Sequence, residues 1–88
     1  MNLSDKVFAY CILNILRLGF STDSRGHVGN PNMFRFDYKK DSAYIENKET
    51  HINIFIYRNS KRIMTRNIVD DADIKETFKR IEALYTTA

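Results

Sequence analysis

Apolar residues recur along the chain with two different periods. Between residues 4 and 18, Val7, Phe8, Ala9, Cys11, Ile12, Ile15, Leu16 and Leu18 fall on one broad arc when plotted at about 100° per residue. Lys6, Tyr10, Leu13 and Arg17 lie opposite. That spacing predicts a helix. Ser4 can cap it, Asp5 suits its positive end and Gly19 can end it. The arc covers roughly half the circumference, wider than a surface stripe needs, so the helix is expected to touch more than one surface. After the polar stretch STDSRGHVGNPN (21–32), a loop by composition, the period changes to two. MFRFDY (33–38) sets Phe34, Phe36 and Tyr38 on one face. A turn is expected at 39–42 and a short strand at 43–46. HINIFIYR (51–58) and RIMTRNIV (62–69) read as a hairpin. The helical period returns at 72–85, where Ile74, Phe78, Ile81, Leu84 and Tyr85 form one stripe. Asp70 or Asp71 can cap this helix, Asp73 suits its first turn, and Glu76 and Arg80 are spaced to pair.

These elements predict an α+β fold in α-β-β-β-β-α order: one domain over residues 1–88, with a four-stranded antiparallel sheet and both helices packed on one face. The row Ile52, Ile54, Ile56 should then meet the helices. The same strand carries Phe55 and Tyr57 on its other side, which nothing else in the chain is expected to cover. With a two-residue turn at Asn59-Ser60, Tyr57 faces Arg62, Phe55 faces Met64 and Asn53 faces Arg66; with the turn at Ser60-Lys61, Tyr57 meets Met64 and Phe55 meets Arg66, on the same faces. Phe55, Tyr57, Arg62, Met64 and Arg66 are thus expected to share the outer surface, joined by Arg35. Arg58 and Lys61 add charge near the turn. No carboxylate occurs between Thr50 and Val69.

Composition narrows the class. The 88 residues are 43% apolar and 28% charged, the balance of a globular domain rather than a disordered one. A domain this small buries only about 60% of its unfolded surface, so a partner or a second copy would help it. Cys11 is the only cysteine, which rules out an internal disulfide and suits a reducing cytoplasm. The apolar run 7–20 is too short to span a bilayer and is interrupted by Asn14 and Arg17. The net charge of +3 is unevenly placed: +1 over 1–32, +4 over 33–69 and −2 over 70–88. The basic excess therefore lies in the predicted sheet.

Catalytic signals are weak. Cys11 falls in the apolar arc, where a thiol is expected to be buried and inert. His27 and His51 lack partners at metal-ligand spacing. The carboxylates 70, 71 and 73 are explained by helix capping. No cofactor or metal is expected. GHVG (26–29) has the G-x-x-G form that resembles the backbone-clamping loop of KH-type RNA-binding domains, but it should join a helix to a strand, not two helices. The element order resembles that of double-stranded RNA-binding domains. Those place basic residues at the start of the last helix, where this chain has Asp70, Asp71 and Asp73, and this chain adds a strand.

Two functions remain. Tyr, Phe, Met and Arg on an open sheet are the residue types of protein interfaces. Aromatics among arginines can also stack bases and hold phosphates. The short, motif-poor chain, rich in Asn, Lys, Ile and Tyr, resembles in style the small accessory proteins of phages and mobile elements, anti-CRISPRs among them. That resemblance implies a non-enzymatic inhibitor that sterically blocks a larger host protein or nucleoprotein machine in the host cytoplasm. The alternative is an RNA or single-stranded nucleic-acid-binding module. In either case the surface is expected to comprise Arg35, Phe55, Tyr57, Arg58, Lys61, Arg62, Met64 and Arg66, without a membrane. A homodimer through the first helix is a further expectation.

Overall fold

The computed structural model describes residues 3–22, 33–48 and 50–85. The elements run α1 (Leu3–Arg17), β1 (Met33–Tyr38), β2 (Asp41–Asn47), β3 (Ile52–Arg58), β4 (Lys61–Ile68) and α2 (Asp71–Tyr85). The strands form one antiparallel sheet in the order β1-β2-β3-β4, and both helices pack on one face of it. The α+β architecture is the one the alternating and helical periods predict.

Every second residue of the three leading strands points to the helices. Phe36 on β1, Ala43 and Ile45 on β2, and Ile52, Ile54 and Ile56 on β3 are buried there. Val7, Cys11 and Ile15 of α1 and Ile74, Phe78 and Ile81 of α2 close over them in a single apolar core. The α1 helix lies over β2 and β3, while α2 lies over β4. The isoleucine row thus has the structural role its spacing predicts. The arc of α1 is narrower than expected, because Ala9 and Leu16 remain exposed.

Local chemistry explains the ends. Beyond α1 the amides of Leu18 and Gly19 donate to the carbonyls of Ile15 and Leu16, and Gly19 takes a φ of 103°. A Cβ there would approach the Tyr38 ring to 3.0 Å, so both φ and space favour glycine. At α2, Asp70 is the cap: its Oδ1 accepts from the Asp73 amide at 3.0 Å. In return the Asp73 carboxylate accepts from the amides of Val69 and Asp70, a reciprocal box. The capping expected of Ser4 and Asp5, and most of the 21–32 stretch with GHVG and His27, lie outside the described residues and side chains. Ser21 and Thr22 are described. Ser21 exchanges two backbone hydrogen bonds with Asp37 and Thr22 donates to the Arg35 carbonyl, so both lie along the outer edge of β1.

Two expectations need correction. The first turn is only Lys39-Lys40, and β2 is seven residues long rather than the short strand at 43–46. Asp41 is drawn into the ladder between Tyr38 and Arg58 because its buried carboxylate has partners there. The second correction concerns β4. Of the two turns considered, Asn59-Ser60 is the one formed, with both residues at positive φ (52° and 67°), the type I′ geometry. Tyr57 does face Arg62, but Ile56 faces Met64, so Ile63 is an extra residue, a β-bulge. From that point β4 is turned over. Met64 packs on the core, and Arg66 pairs with Ile54 and donates from Nε to the buried Thr77 hydroxyl at 3.4 Å. Met64 and Arg66 therefore leave the outer face to which unbroken alternation assigned them.

Candidate functional site

The outer face of the sheet is divided into two halves. Toward the turn joining β2 to β3 it is polar: Glu46 opposes Asn53, and Asn53 opposes Asn67. Toward the other two turns it is aromatic. Tyr44 of β2 opposes Phe55 of β3, and Tyr57 follows Phe55 on the same face. Tyr44 and Tyr57 pack edge to face, with centroids 5.5 Å apart and planes at 85°. The Arg35 guanidinium lies 5.9 Å from the centre of the Tyr44 ring, and that of Arg62 lies 5.8 Å from the centre of Phe55. These rings floor an open depression of about 760 Å³ that reaches from Met33 to the turns, with Lys39, Lys40 and Arg62 on its rim.

The charges here are of two kinds. Arg35 is held within the face: its Nε donates to Asp37 Oδ1 at 3.1 Å, the same oxygen that accepts from the Ser42 hydroxyl at 2.9 Å. Lys39, Lys40 and Arg62 form no ion pair with a described carboxylate. They come together because the two hairpin tips touch: the Asn59 amide donates to the Lys40 carbonyl at 3.5 Å. The result is one basic rim built from residues far apart in sequence.

Sequence reasoning placed Arg35, Phe55, Tyr57 and Arg62 on one face, and the structure brings them together. Tyr44 was missed although it falls within the short strand expected at 43–46, because the outer face was read from the hairpin and β1 alone. Its signal was the alternation of Ala43 and Ile45, which sends Tyr44 outward. Lys61 pairs with Arg58 at the tip of the hairpin and does not line the depression. Arg58 falls on the helix side, where it binds Asp41 through Nε at 3.0 Å and Nη2 at 2.9 Å. Tyr85 of α2 donates its hydroxyl to the same carboxylate. The Arg58 hydrogen bond holds the Asp41 carboxyl below the usual range, and burial together with the bond to Asp41 holds the Tyr85 phenol well above its own. This cluster is a latch between sheet and helix, fully paired.

Cys11 is fully buried, and burial pushes its thiol up to about 12, so it stays protonated at neutral pH. Among the described residues no cluster of His, Cys, Asp or Glu is placed to hold a metal ion. His51 Nδ1 lies 3.0 Å from the Thr50 hydroxyl. No described helix is long and apolar enough to cross a membrane. No family model, curated protein or solved structure matches the chain.

Proposed function

We propose that the protein is a non-enzymatic binding module that docks the aromatic half of its outer sheet face on a larger protein and blocks a site on that partner. The state of the three rings carries this reading. Arg35 lies over Tyr44, Arg62 lies over Phe55, and Tyr44 and Tyr57 meet edge to face. A base stacked on an open ring gains about 1–3 kcal/mol, and here the guanidinium groups occupy the ring faces that a base would need. What the face offers is ring edges, guanidinium groups and a concave floor, the chemistry of protein hot spots. The short, motif-poor chain, similar in style to phage and mobile-element accessory proteins, supports an inhibitor of a host protein or nucleoprotein machine in the cytoplasm.

Co-purification from native host extract tests the proposal. A partner captured by the wild type should be lost from a Tyr44→Ala/Tyr57→Ala variant, and equal retention by both would overturn it. Binding of RNA or single-stranded DNA at low salt, falling steeply as salt rises, would instead place nucleic acid on this face. A second reading concerns α1, whose Tyr10, Leu13 and Leu16 are 51%, 54% and 42% exposed. This ridge supports self-association. Light scattering that gives a monomer at every concentration would remove that reading.

A further inference from the structure

The outer-face depression has a direction, and the direction specifies the occupant. One end is formed by the touching hairpin tips, with Lys39, Lys40 and Arg62 on the rim. The other end is formed by Met33, and the floor between is aromatic. The described acidic side chains near the sheet are already engaged: Asp37 with Arg35, Asp41 with Arg58, and Glu46 with Lys48. None of them meets the three rim cations. Arg62 lies over the Phe55 ring on the outer face, whereas the Lys39 ammonium lies 5.3 Å from the centre of the Tyr38 ring, which packs with Phe20 and Tyr85 on the helix side, so Lys40 and Arg62 are the cations that the outer face offers without a described counter-charge. Cations gathered at an interface rim and left without counter-charges are complementary to an acidic surface, and steer association with it.

From this geometry we infer that the partner contributes an acidic peptide segment, with carboxylates at the hairpin tips and an apolar side chain running over the rings toward Met33. The inference rests on the docking face proposed above and adds the chemistry of what it takes. A nucleic-acid strand would present phosphates along its whole length, over the rings and on to the far end, where Glu46 opposes Met33. A peptide with charge at one end only matches a depression with charge at one end only.

The test is an amide chemical-shift titration of the isotope-labelled protein with a synthetic peptide carrying a run of glutamates followed by leucine and phenylalanine. Controls are the same peptide with glutamine for glutamate, and single-stranded oligothymidylate. The expected result is perturbation of residues 39–40 and 59–62 together with 44, 55 and 57. Affinity should be at least several-fold weaker for the glutamine peptide, and for a Lys40→Gln/Arg62→Gln variant of the protein. Equal binding of the glutamine peptide, no response at the tips, or a stronger response to the oligonucleotide at the same amides would each overturn the inference. The host partner separates this claim from the docking face itself. If Tyr44→Ala/Tyr57→Ala loses the partner and Lys40→Gln/Arg62→Gln keeps it, the face stands and the acidic segment falls. If both variants keep it, both fall.

Discussion

Asp41 illustrates how a single polar residue can be placed at the end of an apolar face. Its side chain is buried on the helix side of β2, where an unpaired carboxylate would be costly. The Arg58 guanidinium meets it from the neighbouring strand, and the Tyr85 hydroxyl meets it from the last turn of α2. Both contacts favour the ionised form, so the folded-state pKa lies below that of the unfolded chain, which is about 3.9 for Asp. The sign of the pH dependence follows. The contribution is complete above about pH 4, and it is lost as pH falls further, because the unfolded chain takes up the proton first. Thermal melts of the wild type and Asp41→Asn should therefore differ most near neutral pH and converge under acid conditions. A difference that grows on acidification would show that the carboxylate does not stabilise the fold in its charged form.

The β3–β4 hairpin shows what the pattern of the chain reveals about an element and what it leaves out. Ser60 sits at a φ of 67° in the second position of a type I′ turn, where glycine is preferred. Ser60→Gly should raise stability by about 0.5–1 kcal/mol, read from the midpoint of urea unfolding; a loss would mean that the turn is not of this type. Element order, the buried isoleucine row and the inner face of β1 were legible because each rests on alternation within a single strand. The bulge at Ile63 was not, because it changes the period without leaving a glycine or proline to mark it. That single extra residue removes Met64 and Arg66 from the outer face. It also protects the sheet: β4 is an edge strand, and Lys61, the bulge and the inward-facing Arg66 are three devices that discourage pairing with another chain. Deleting Ile63 should leave Met64 and Arg66 on the inner face while flattening this edge. The expected outcome is a folded protein that self-associates more readily, seen by light scattering at rising concentration. A deletion variant as monodisperse as the wild type would show that the bulge has no protective role.

At the scale of the whole molecule, the two faces of β3 ought to differ in what they contribute. A small two-layer domain, 37 × 29 × 21 Å, has one core, and that core lies between sheet and helices. Ile54 is fully buried in it, whereas Tyr57 keeps part of its ring in solvent on the far side. Truncating Ile54 to alanine leaves a cavity that its neighbours fill only in part, at a cost of about 2–5 kcal/mol. Truncating Tyr57 removes one edge-to-face pair with Tyr44 and some cover of the strand, at a cost of about 0.5–1.5 kcal/mol. Urea unfolding of the two variants should therefore separate them clearly, with Ile54→Ala far less stable and Tyr57→Ala close to the wild type. The comparison bears on function as well as on packing. A ring cluster that contributes little to folding, yet stands on an open and partly basic face, is explained by what it meets outside the chain. If Tyr57→Ala proved as damaging as Ile54→Ala, the rings would have their explanation in the fold itself. The docking face would then lose the physical argument that sets it apart from ordinary cross-strand packing.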